Sequence, residues 1–310
     1  MKSLSLPVLM VTAIAVIFGC GSAATAELPV YYGNDRMLQI AHTDWDGAVS
    51  GANDYSCTAS VEHPEPVVLV GSTFLSAAVN WTALAPYLYN HGFCVFTLNY
   101  GRSMYRVPPG LNGMDPMPMS ASELGALVDR VLAATGASKV DLVAHSQGGL
   151  VARYFVNETG GEDKVDQVVL LSSPYTMTGL PVDVAAVASE VIPKPLYDAI
   201  LYNGLVPPLG LNFLDPWSVV AAQVLRPNIR YTQITGRADE IGFFGGMRAP
   251  DGAVNTTTQY IDDICPTDFS QHFAQPYSPT AVALIGNALD PAHPVPPPCT
   301  LVPLYSLGQG

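Results

Sequence analysis

From Pro66 the chain runs through Val67-Val68-Leu69-Val70, four apolar residues with no polar interruption. Such a run has no face to show to water, so it predicts a strand buried on both sides. Phe93 to Leu98, entered by His91-Gly92, repeats the pattern, as do Val140 to Ala144, Val165 to Leu171 and Ile229 to Thr235. Helical stretches fall between these runs. One is predicted from about Asn80 to Tyr89, and one from Ser120, three residues before Glu123 as in a capping box, through about Ala134, where Gly136 stops it. A third contains Leu150 to Val156, and the last is Pro279 to Leu289, with Ser278 as its cap and Pro279 in its first position. Strand and helix alternate, which predicts an α/β domain with a mainly parallel sheet and helices on both faces.

The alternation lapses between Pro174 and Pro227, where Pro181, Pro193, Pro195, Pro207, Pro208 and Pro216 break an apolar stretch into short pieces. This reads as an apolar cap or lid inserted at about residues 175–228, with Val182, Val184, Val187, Val191, Ile192, Leu196, Ile200, Leu201 and Leu205 supplying its surface. Asp290 to Gly310 is proline-rich and is expected to lie extended. There are no internal repeats, so residues 27–310 read as a single domain.

Residues 1–26 read as an export signal: Lys2, an apolar stretch from Leu4 to Gly19, then Ala24-Thr25-Ala26 as a small-residue cleavage site. The protein is therefore expected to be secreted. A competing reading makes Cys20 a lipid-modified cysteine, although Phe18 is bulkier than such sites usually allow. Setting Cys20 aside leaves Cys57, Cys94, Cys265 and Cys299, an even number that suggests two disulfides in an exported chain. Three pairings are open, and proximity favours Cys57 with Cys94 and Cys265 with Cys299.

Charge narrows the functional classes. With 13 Lys+Arg against 26 Asp+Glu in 310 residues, the net charge of −13 offers no basic surface to a phosphate backbone, which excludes nucleic acid as a partner. Attraction to lipid would have to come from apolar surface.

Ala144-His145-Ser146-Gln147-Gly148-Gly149 lies between a buried strand and a helix. In that context it is the strand-turn-helix elbow of the α/β-hydrolases, with Ala144 in place of the first glycine of G-x-S-x-G. The turn requires small residues two before and two after the serine, and Ala144 and Gly148 meet that need. Ser146 would be the nucleophile, and the backbone N–H of Gln147 would face a developing oxyanion. A serine hydroxyl needs a base later in the chain and an acid between them. His42, His63 and His91 precede the serine, His145 is its neighbour and His293 lies in the proline-rich tail, which leaves His272. Asp239, just beyond the strand ending at Thr235, is the candidate acid, with Glu240, Asp251, Asp262, Asp263 and Asp268 as rivals. The loop Gly71-Ser72-Thr73-Phe74 should bring a second oxyanion donor, the backbone N–H of Thr73. No metal or cofactor is called for by this chemistry, although acidic pairs such as Asp262-Asp263 leave calcium open.

These segments, with Asn80-Trp81, Asn99-Tyr100-Gly101, Arg237-Ala238-Asp239-Glu240-Ile241, Cys265-Pro266-Thr267-Asp268 and Asn287-Ala288-Leu289-Asp290-Pro291, resemble the secreted lipases of actinobacteria, which are α/β-hydrolases. The resemblance covers about Asn53 to Pro291. It implies the α/β-hydrolase fold, a Ser146-His272-Asp239 triad, oxyanion donors at Thr73 and Gln147, and the two disulfides favoured above. Relatives commonly carry His-Gly where this chain has Gly71-Ser72. The leading expectation is a triacylglycerol lipase acting through an acyl-enzyme on acylglycerols at a lipid–water interface, with no obligate protein partner. A hydrolase of other acyl esters or polyesters is the alternative, and a catalytically silent surface-binding protein is the reading from a different class.

Overall fold

A computed structural model of the chain describes residues 27–102, 110–177, 194–196 and 215–304. The expected signal segment, Cys20, and Val182 through Val191, Ile192, Ile200, Leu201 and Leu205 of the expected cap lie outside the described residues.

The centre is a six-stranded sheet in the order β2-β1-β3-β4-β6-β8, with every neighbouring pair parallel. Its strands are β1 (Val67–Val70), β2 (Val95–Leu98), β3 (Val140–His145), β4 (Val165–Leu171), β6 (Arg230–Thr235) and β8 (Thr256–Tyr260). The short pair β5 (Thr176–Met177) and β7 (Gly245–Gly246) runs antiparallel beside it. Period-two alternation splits the apolar runs between two cores. Val68, Val70, Leu142 and Ala144 pack on one face against α4 (Met117–Thr135) and α5 (Gln147–Glu158). Val67, Leu69, Val143 and Val169 face the other way, toward α3 (Leu84–Asn90) and the helix Pro279–Leu289, with Trp81, Leu84, Val282 and Ile285 fully buried.

Three expectations need correction. The helix predicted from Asn80 is two helices, α2 (Ala77–Asn80), capped by Ser76, and α3. Ser120 does not cap α4. The helix opens three residues earlier, because Met117 buries fully in the core and Pro118 costs no hydrogen bond in a first turn. Glu123 accepts the Gly101 N–H at 3.0 Å instead of closing a capping box. Strand β8 was not predicted, since Thr-Thr-Thr-Gln-Tyr carries no apolar run and lies at the sheet edge, where partial exposure tolerates polar residues. Within the range assigned to a cap, the helix Pro216–Gln223 buries Val219 and Ala222, the latter in the core shared with α5.

Candidate active site

Strand β3 ends at His145 and α5 begins at Gln147, so the whole change of direction falls on Ser146, with φ 56° and ψ −128°. A non-glycine residue at positive φ is strained, and such strain persists only where the surroundings fix it. Here the Ser146 N–H is held by the Leu171 carbonyl at 3.0 Å. A Cβ on Gly148 would stand 2.3 Å from the Val70 carbonyl oxygen, and one on Gly149 2.0 Å from Ser173 Oγ. The sequence reading required a small residue at 148; the second requirement, at 149, arises only from packing against the loop after β4.

Three side chains from distant parts of the chain meet at the carboxyl edge of the sheet. His272 Nε2 lies 2.7 Å from Ser146 Oγ, and His272 Nδ1 lies 3.1 and 3.0 Å from the two carboxylate oxygens of Asp239. With the carboxylate accepting the hydrogen bond from Nδ1–H, Nε2 presents its lone pair to the serine hydroxyl. A hydroxyl paired with an imidazole that a buried carboxylate orients is the arrangement by which serine becomes nucleophilic. Asp239 also accepts the N–H groups of Ile241 and Gly242 at Oδ1, at 2.9 and 3.2 Å, and Gln275 Nε2 at Oδ2, at 3.1 Å. Burial pushes its proton affinity up, but the hydrogen bond and charge interaction with His272, helped by the Ser172 hydroxyl and the Ile241 N–H, outweigh this, and its pKa ends below the ordinary carboxylate value.

The rival acids are otherwise engaged. Asp262 and Asp263 close on Arg237, and Asp251 lies exposed 3.6 Å from Arg248. Asp268 is buried, accepting Ser270 N–H and Ser278 Oγ–H, and Glu240 accepts the backbone N–H of His272 at 3.0 Å. Among the described residues no group of three His, Cys, Asp or Glu side chains could hold a metal ion, and no helix is long and apolar enough to cross a membrane.

Thr73 and Gln147 are brought together beside the elbow. Thr73 Oγ1 donates to Gln147 Oε1 at 2.5 Å, and Gln147 Nε2 donates to the Gly113 carbonyl at 3.1 Å. As the first residue of α5, Gln147 has a backbone N–H without an intrahelical acceptor. The Thr73 loop is shaped by Phe74 at φ 72°, which exchanges backbone hydrogen bonds with Asn112, and by Asn80, whose Oδ1 accepts the N–H and Oγ–H of Ser72. Asn80, Gln275 and Ser172, which donates to Gln275, were not singled out as site residues by sequence. Their side chains act through contacts 8 to 103 residues apart, which no local pattern records.

His145 is fully buried, its Nδ1 3.0 Å from Asn80 Oδ1 and its Nε2 3.2 Å from the His272 carbonyl. Burial, helped by the neighbouring His272, lowers its pKa to about 3, so it is neutral. Cys57 is bonded to Cys94, and Cys265 to Cys299, with Cα separations of 5.8 and 5.1 Å. Such bridges belong to proteins of oxidising compartments. The second one anchors the loop that carries His272 to the tail.

A parallel sheet whose central strand delivers a strained serine to a helix N-terminus defines the architecture: the chain has the α/β-hydrolase fold. Lipase B of Aspergillus fumigatus has a similar fold, with a TM-score of 0.52 at 18% identity, over 81% of this chain and 56% of that one. Residues 64–185 match the family described as Lipase (class 2). A triacylglycerol lipase of Pseudarthrobacter phenanthrenivorans is 38% identical over 94 residues, 29% of this chain and 27% of that protein. One of Burkholderia plantarii is likewise 38% identical over 94 residues, 29% of this chain and 24% of that protein. The match thus spans about a quarter of the length of these curated relatives.

Proposed function

We propose that the protein is a secreted serine carboxylic ester hydrolase whose substrates are triacylglycerols. The observation that carries the reading is the 2.7 Å approach of His272 Nε2 to Ser146 Oγ, with Asp239 behind the ring at 3.0 Å. Support for the substrate class comes from the Lipase (class 2) match and from the relatives named triacylglycerol lipases.

In this mechanism Ser146 Oγ attacks the ester carbonyl carbon while His272 Nε2 takes its proton, and Asp239 stabilises the imidazolium. Backbone N–H groups of Thr73 and Gln147 hold the tetrahedral oxyanion, each contributing about 3 kcal/mol. The imidazolium then protonates the leaving alcohol, and water, activated by the same base, releases the acid from acyl-Ser146. No cofactor enters. Residues 1–26 act as the export signal of a single domain spanning 27–310.

The test pairs folded Ser146→Ala with wild type on p-nitrophenyl and glycerol esters of increasing chain length. Loss of turnover by at least about 10⁴-fold, with wild-type rates rising as triglyceride passes its solubility limit, is the expected result. Retained activity in Ser146→Ala would remove the mechanism. Rates highest on acetyl esters, with no rise at the interface, would replace lipase by small-ester hydrolase.

A further inference from the structure

His272 sits in the stretch between the helices Ile261–Ile264 and Pro279–Leu289, which carries one 3₁₀ turn, Gln275–Tyr277, just after it. Its ring must nevertheless be held to within about half an ångström for the proton to pass along one line. Both peptide groups of His272 are engaged, and by residues one step from its two partners. Glu240, which follows Asp239, accepts the His272 N–H at Oε2 at 3.0 Å. His145, which precedes Ser146, places Nε2 3.2 Å from the His272 carbonyl oxygen.

The Glu240 contact has only one polarity, since an amide N–H donates. The His145 contact depends on where that ring carries its single proton. Its two neighbours are both oxygens, Asn80 Oδ1 at 3.0 Å from Nδ1 and the His272 carbonyl at 3.2 Å from Nε2, and Asn80 Oδ1 also accepts Ser72 N–H at 3.1 Å and Ser72 Oγ–H at 2.9 Å. A hold on the His272 carbonyl requires the proton on Nε2.

We propose that Glu240 and His145 are positioning residues that clamp the His272 backbone, so that the elbow and the acid loop each hold the imidazole twice, once through the side chain and once through the main chain. The inference rests on the reading of His272 as the base. Glu240 is exposed and contributes little packing, whereas His145 is wholly buried. The surface arm can therefore be tested by substitution and the buried arm by spectroscopy.

Glu240→Ala should lower kcat on dissolved p-nitrophenyl butyrate by about 10- to 100-fold with KM within about twofold, because a small misplacement of a reacting group is enough for such losses. It should also shift the low-field proton resonance of His272 Nδ1–H. Glu240→Gln, which keeps an acceptor without the charge, should restore most of the rate. Wild-type kcat and an unmoved resonance in Glu240→Ala, or equal damage in Glu240→Gln, would overturn this arm. For His145, nitrogen-15 NMR of the wild-type protein should report protonated Nε2 and bare Nδ1, and the opposite tautomer would overturn that arm. Neither resonance depends on turnover, so the clamp is judged separately from Ser146→Ala, whose retained activity would sink the mechanism itself.

Discussion

Thr73 and Gln147 are 74 residues apart in the chain, yet Thr73 Oγ1 donates to Gln147 Oε1 at 2.5 Å. The bond ties the loop after β1 to the first turn of α5, the two places from which the proposed oxyanion donors come. Thr73→Val keeps the volume and removes the donor, and should reduce kcat about tenfold with KM little changed. Steady-state kinetics on a dissolved ester checks this, and unchanged kcat would detach the Thr73 side chain from the site.

Gly148 and Gly149 differ in what they press against. An added methyl at 148 meets the backbone oxygens of Val70 and Gly71, at 2.3 and 2.6 Å, which cannot move without displacing β1. At 149 it meets side-chain atoms, Ser173 Oγ at 2.0 Å, Ser173 Cβ at 2.6 Å and Leu170 Cδ2 at 2.7 Å, of which the Ser173 Cβ is fixed to its backbone. Gly148→Ala and Gly149→Ala should therefore both destabilise, the former by about 3 kcal/mol or more, as read from denaturant midpoints at equal m.

Asp141 is buried on β3 with Oδ2 accepting Gln167 Nε2 at 2.7 Å and Oδ1 without a partner. Burial, opposed by that hydrogen bond and reinforced by Asp166 and Glu65, pushes its pKa up to about 8, against about 4 in an unfolded chain. The folded state thus holds this proton more tightly, so the stability it contributes is complete below about pH 4 and is lost as pH rises to about 8. Asp141→Asn should remove this slope and raise Tm at pH 8 relative to wild type. Parallel Tm curves for the two proteins across that range would contradict it.

Removing the Cys265–Cys299 bridge, which closes a separation of 34 residues, should cost about 3.5 to 4 kcal/mol in the chain-entropy account. Because that bridge anchors the His272 loop, the double Cys→Ser variant should lose activity at a lower temperature than it loses far-ultraviolet circular dichroism. Coincident transitions would show that the bridge supports the whole fold and not the loop in particular.

The buried strands were legible in the chain because a continuous apolar run such as Val67–Val70 has one way to avoid water, and the helix Pro279–Leu289 because Ser278 and Pro279 mark its start locally. Ser146 could be singled out for a similar reason: a sharp turn between strand and helix demands small neighbours, and Ala144 and Gly148 are read directly. His272 and Asp239 were reached by chain order, with Glu240 left as a rival. Only the folded chain separates the two acids, turning Asp239 to the imidazole and Glu240 to the backbone N–H of the same histidine. Adjacent carboxylates carry the same charge and the same local pattern, so their roles depend on direction in space. The same holds for Gln275 beside Asp239, Asn80 beside His145 and the edge strand Thr256–Tyr260. Each is defined by a partner far along the chain, and hydrogen-bond complementarity across such distances leaves no period or spacing in the sequence.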